Sequence, residues 1–370
     1  MGKIKVLHIG HSAKWRGGEN QVRLLIERMN ELDLGVEHHL AFPQKAIIFE
    51  RLQKQVNGYI QLPSNKPMDP RSVFQIARYC KHNNIQIIHA HSGNSHTVGF
   101  LVKKLVPSLK FIVHRRVDNH IRKKLTSRKK YLTKEVDQFI GISNAIVSIL
   151  KNYGVDEKKI TFIPSSVDDK PYRTLDKGNA KLKLTTKYGL DKNKPLIGFI
   201  SALENQKNPE LFIEILNELN TNGKNYCAII AGSGRKSEKI ALLIEKYNLS
   251  KNVKMLGFVE NVNEIFSALD IFVLPSRNEG LGTVLLEASL AKAALVAADV
   301  GGISEVVIEN KTGYLIESTQ LKEFELAISS LIDNDAEKNK LINNAYEHVN
   351  SMFSLNKMAE NTYKVYKKVM

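Results

Sequence analysis

Cysteine is almost absent. The 370 residues hold only Cys80 and Cys227, too far apart for the paired spacing of a zinc site or a disulfide framework, which fits a reducing, cytoplasmic setting. Long apolar runs are missing too. None approaches the roughly 18 residues that span a bilayer, and the opening MGKIKVLHIGHS has an apolar run too short for a signal-peptide core. A dinucleotide fingerprint is also lacking, because AGSGRKSE falls short of G-x-G-x-x-G and no suitably placed acid follows it. A nicotinamide cofactor is therefore not expected. The one D-x-D triplet, Asp333 to Asp335, sits between two helical stretches and reads as a turn with helix-capping acids. No metal is assigned to it.

What is present is ordinary globular material, 43% hydrophobic and 25% charged, long enough for two domains. Its charge is uneven. Residues 1–170 carry 29 lysines and arginines against 14 acids, and residues 171–370 carry 25 against 24. Ten of the eleven histidines also fall in the first part. Such asymmetry points to an anionic partner for that part. It is densest in RRVDNHIRKKLTSRKKY, which starts at Arg115 and Arg116.

Short β-branched runs alternate with amphipathic stretches along the whole chain. IKVLHIG, IQIIHAH, KFIVHRR, DQFIGIS and KITFIPS form a first set of strands; PLIGFIS, NYCAIIAGSG, NVKMLGF, DIFVLPS and AALVAADV form a second. This alternation predicts an α/β fold with two doubly wound, Rossmann-like parallel sheets. The expected boundaries are 1–170 and 171–352, with a polar linker between the two sets of strands and a terminal packing helix over 353–370. In such sheets ligands sit beyond the strands' carboxyl ends. Gly17, Gly18, His89, His91, His114, Lys207, Gly232, Gly234 and Glu279 collect there. Two such sets of loops facing each other would form a cleft for two large substrates.

The stretch NEGLGTVLLEAS places Glu279 before two glycines and Glu287 among apolar neighbours. Gly280 and Gly282 let the backbone approach a ligand, and the amides of Leu281, Gly282 and Thr283 at a helix N-terminus suit a phosphate. Each carboxylate suits a sugar diol. Acids flanking a diphosphate seat form the layout a nucleotide-sugar requires.

The segment PSRNEGLGTVLLEASLAKAALVAADVGGISEVVIENKTGYLI resembles the E-x7-E region of family 4 glycosyltransferases of the two-Rossmann-domain (GT-B) fold. GGEN, HAH, ISNAI and MLGFVENVNEIFSALDIFVLPS are similar to further motifs of that family, in the same order. The resemblance implies a retaining transferase that takes a nucleotide-diphosphate sugar and needs no metal. It implies donor-sugar contacts for Glu279, ribose contacts for Glu287, and the base near Phe258 and Val259. Lys207 with Gly17 and Gly18 would assist the diphosphate, and His91 would stand near the reacting carbon, whereas His89 lies deeper and is as well read as a core residue. Ala202 departs from the pattern where the family often has arginine, as do Ser165 and Ser166 where Asn-Gly is common. The terminal helix is expected to cross back onto the first domain.

The basic first domain implies an anionic acceptor: a lipid-linked, lipopolysaccharide or polysaccharide glycan at the inner face of a membrane, contacted by Arg115 and Arg116. Two alternatives stay open, a nucleotide-sugar epimerase of the same architecture and a non-catalytic nucleic-acid-binding protein. The second is disfavoured because the basic residues are not interleaved with aromatics and no nucleic-acid motif appears.

Overall fold

The computed structural model describes residues 2–64, 66, 69–174 and 176–370. The chain divides into two compact units, Met1–Ser166 with Ser354–Met370, and Val167–Phe353.

In the first unit the strands are β1 (Ile4–Ile9), β2 (Val36–Pro43), β3 (Gly58–Leu62), β4 (Ile87–Ala90), β5 (Lys110–Arg115), β6 (Gln138–Gly141) and β7 (Ile160–Phe162). They form one parallel sheet in the order β3-β2-β1-β4-β5-β6-β7. The second unit has β8 (Leu196–Ile200), β9 (Cys227–Ala231), β10 (Val253–Gly257), β11 (Ile271–Leu274), β12 (Ala294–Ala298) and β13 (Tyr314–Ile316). These too are parallel, in the order β10-β9-β8-β11-β12-β13. Central strands such as β8, β9 and β12 are buried along their whole length, which is why their sequences lack alternation. Strand order reverses between β1 and β4 in one sheet and between β8 and β11 in the other. Those are the switch points where open parallel sheets hold ligands.

The ten strands predicted from sequence are all present. β2, β3 and β13 were not foreseen. The stretch taken as a linker also carries structure, with helices Lys170–Arg173 and Lys177–Tyr188. The longer of the two starts at an Asp176 side chain that accepts from the Asn179 amide and stops at Gly189 in the left-handed region. The helix Leu355–Val369 packs within the first unit, burying Leu355, Met358, Ala359 and Tyr366 against Val6, Leu24, Leu25, Ile87 and Ile112. At Asp333–Asp335 the cap is Asn334, whose side chain accepts from the Glu337 amide, while Asp333 pairs with Lys224 and Asp335 with Lys338.

Candidate active site

In the second unit, the loop after β8 is tied to the loop after β11. The Arg277 amide donates to the Gln206 carbonyl at 2.8 Å, and the Gln206 side chain donates to the Asn278 carbonyl at 2.9 Å. Arg277 reaches Asn208 Oδ1 at 3.0 Å, and Asn208 takes a left-handed φ of 53° to turn the chain into the helix Pro209–Thr221. This stitching brings Lys207 onto Glu279. The carboxylate, only 5% exposed, accepts from Lys207 Nζ and, at 2.9 Å, from the Ser276 hydroxyl. A buried carboxylate needs such partners. Gln206, Arg277 and Asn208 were not picked out from sequence, since their signal is contact across 69 to 72 residues; Ser276, only three residues before Glu279, was also passed over.

Gly282 has a φ of 76° and precedes the helix Thr283–Leu290. A β-carbon there would stand 3.0 Å from the Leu285 side chain, a tight contact, but it is the backbone shape that calls for glycine. The amides of Leu281, Gly282 and Thr283 lie at this helix N-terminus, where the sequence reading puts the diphosphate. Glu287 lies on the same helix, and burial pushes its carboxyl up to about 7. Burial raises Tyr172, with the charges of Glu287 and Asp168 adding to it, and its hydroxyl donates to Asn263 at 3.0 Å. Phe258 follows β10 and is 71% exposed, with Val259 beside it. Gly232 and Gly234 serve packing. A β-carbon on either would meet the carbonyl oxygen of Ser201 or Leu203 at 1.9 or 2.3 Å. Ala202 is exposed.

In the first unit, Gly17 and Gly18 open the helix Gly17–Glu31, and neither has an atom within 4 Å of where a β-carbon would lie. His91 follows β4, its amide bonded to the Ile9 carbonyl at 3.1 Å. Strand register gathers further histidines around it. His8 pairs with His89, Val6 with both His38 and Ile87, and His89 with Ile112, two residues before His114. Side chains at every second position share a face, so these five rings meet on the face covered by the terminal helix. The ring nitrogens of His8 and His91 lie 3.0 Å apart, as do those of His8 and His38. His89 bonds the Tyr366 hydroxyl at 2.8 Å. Burial drives all five well below the usual imidazole range, His38 to about 3. They are neutral bases at any physiological pH.

Of Arg115 and Arg116, expected to contact an acceptor, Arg115 is buried and Arg116 half-buried. Arg115 is 8% exposed and bonds Tyr131 at 2.7 Å and the Asn119 carbonyl. Arg116 donates to Ser165 at 2.9 Å and to His114 at 3.3 Å, and burial lowers it to about 9. Ser166, the other departure from the family pattern, is held by Gln21, whose amide donates to its carbonyl at 2.6 Å. The exposed cations of this run are Arg122, Lys123, Lys124, Arg128 and Lys129. Val117, Leu125 and Leu132 are exposed among them.

Ligand-capable nitrogens of His8, His89 and His91 fall within 4.8 Å of one another, the one such group among the described residues. The set fits a cation poorly. Two of its nitrogens already share a hydrogen bond, no carboxylate or thiolate joins them, and the charge of Arg116 acts on both His89 and His91.

Two parallel-sheet units with polar groups gathered at their switch points define a GT-B protein. The model for Glycosyltransferase Family 4 matches residues 15–170, and that for Glycosyl transferases group 1 matches residues 181–348. The chain belongs to the family 4 glycosyltransferases. It is 27% identical to the α-D-kanosaminyltransferase of Streptomyces kanamyceticus over 54% of this chain and 52% of that protein, so it spans about half that relative's length. It is also 27% identical to the UDP-Gal:α-D-GlcNAc-diphosphoundecaprenol α-1,3-galactosyltransferase of Escherichia coli, over 72% of this chain and 71% of that protein. The crystal structure of a glycosyltransferase from Rickettsia africae superposes with a TM-score of 0.87 at 21% identity, covering 100% of this chain and 99% of that one.

Proposed function

We propose that the protein transfers a sugar, with retention of anomeric configuration, from a nucleotide-diphosphate sugar to a lipid-linked, lipopolysaccharide or polysaccharide acceptor. The observation that carries this reading is the treatment of two acids on one segment. Glu279 is held by Lys207 and Ser276, whereas Glu287 stands in a site that disfavours its charge until donors arrive. A sugar hydroxyl can share the first, a ribose diol supplies donors to the second, and the amides between them take the diphosphate.

On this reading Lys207 and the amides of Leu281, Gly282 and Thr283 stabilise charge growing on the departing phosphate. That phosphate accepts the acceptor's proton, and His91 contacts the donor sugar or the leaving oxygen. The amides and Lys207, rather than a metal ion, balance the diphosphate. Retention rests on the family resemblance alone. A transferase is favoured over an epimerase because both matching families are transferases and the E. coli relative's name specifies a UDP-sugar and a lipid-diphosphate acceptor.

Glu279→Ala is expected to lower transfer at least about a thousandfold while circular dichroism stays native. Unchanged turnover would refute the site. The acceptor side is placed at an anionic membrane, met by the exposed basic run with Leu125 and Leu132. No helix among the described residues is long and apolar enough to cross a membrane, and a basic surface with apolar points suits attachment from one side. Binding to phosphatidylglycerol vesicles should weaken steeply between about 0.05 and 0.5 M salt; insensitivity to salt would count against the surface role.

A further inference from the structure

His8, His38 and His91 form a continuous chain: His38 Nδ1 lies 3.0 Å from His8 Nε2, and His8 Nδ1 lies 3.0 Å from His91 Nε2. The two end atoms, His38 Nε2 and His91 Nδ1, are buried without a hydrogen-bond partner among the described residues. A neutral imidazole has one N–H and one lone pair. His8, in the middle, must therefore donate in one of its bonds and accept in the other, so the chain runs one way or the reverse. If His8 donates to His91, the proton of His91 sits on Nδ1. If it accepts from His91, that proton sits on Nε2 and His38 must carry its own on Nε2.

The two directions differ in where the unmet donor falls. In the second it is trapped at His38, fully buried in β2 with no acceptor, and orphaned buried N–H groups are rarer than orphaned acceptors. In the first it falls at His91, just past the end of β4 at the switch point, where an arriving ligand can meet it. We propose that His8 and His38 are positioning residues for His91, holding its ring and setting its tautomer with the proton on Nδ1. That N–H, buried in the structure, is the donor that His91 would turn to an oxygen of the donor sugar or its leaving group once the ligand reaches it. This rests on the proposed transferase reading for its consequence, though not for the tautomer itself. Neither His8 nor His38 touches substrate; they act through His91.

The direct test is long-range 1H–15N correlation on histidine-labelled wild-type protein, with His91 signals assigned by their loss in His91→Gln. The expected result is a protonated Nδ1 and a bare Nε2 on His91; the opposite pattern overturns the proposal. It needs neither turnover nor a fold-altering substitution, so its failure is distinct from failure of the transferase reading, which absence of transfer by the wild type would bring down. For the consequence, His38→Phe removes the far end of the chain and should lower kcat about tenfold or more with donor KM little changed. His38→Asn keeps an N–H near the Nδ1 position and should restore most of that loss. Unchanged kcat in His38→Phe, or a folded His38→Asn as slow as His38→Phe, would also overturn it.

Discussion

The two units handle ionisable groups at their switch points in opposite ways. In the first, five basic rings are packed together and kept neutral by burial. In the second, Glu279 is given a cation and a hydroxyl, and Glu287 alone is left where burial resists its charge. A neutral imidazole both gives and receives hydrogen bonds at little desolvation cost, whereas a buried carboxylate demands donors. The first arrangement suits hydrogen bonding near a reacting centre, and the second suits gripping hydroxyls around an anion. The comparison also predicts opposite pH responses.

The largest effect should come from acid. His8, His38, His89, His91, His96 and His114 all have lowered values in the folded state. Their unfolded forms take protons below about 6.5 and their folded forms do not. Stability is thus full above that pH and falls below it, by up to about 1.4 kcal/mol per pH unit for each ring. With six rings acting in the same direction, stability should fall steeply as pH drops below the ordinary imidazole range. The single tryptophan, Trp15, lies in this unit, so its fluorescence should report unfolding between about pH 6.5 and 5. A first unit still native at pH 4.5 would break the contrast.

Glu287 works the other way. Its folded value is raised from 4.5 to about 7, so the fold binds the extra proton, and stability falls as pH rises from 4.5 through 7, by at most about 3 kcal/mol. Glu287→Gln should remove that slope. Donor binding should favour the ionised acid, so calorimetry should show proton release near neutrality and affinity falling by up to about tenfold per unit below pH 7. In Glu287→Gln this pH dependence should vanish. Its persistence would mean that another group governs it.

The smallest effect concerns the terminal helix. Tyr366→Phe leaves His89 Nδ1 without its partner at 2.8 Å and should cost about 1–3 kcal/mol, read as a lower Tm. Donor affinity should not change, because the second unit is untouched. A Tyr366→Phe variant with unaltered Tm would show that the ring cluster does not depend on that hydroxyl.

Much of this was legible because strand cores and helix ends leave local marks. The buried strands of both sheets are short β-branched runs, and the proposed anion seat is marked by Glu279, Gly280, Gly282 and Thr283 within five residues. β2 was missed because VEHHLAFP puts Glu37, His38 and His39 into what should read as an apolar run. β13 has three residues and no pattern to detect. Arg115 and Arg116 looked like surface charge because a run of cations carries no sign of which members fold inward.

The sequence by itself determined the two parallel sheets, the loops that carry polar groups, and the spacing of the two acids on one glycine-bearing segment. All depend on neighbours within one turn or one strand, where periodicity and backbone shape act. Only the tertiary structure decided that Lys207 lies on Glu279, that Tyr366 holds His89, and that His8 and His38 stand behind His91. Those contacts join residues 30 to 277 positions apart. Strand order and register, which no local pattern encodes, bring them within hydrogen-bonding distance.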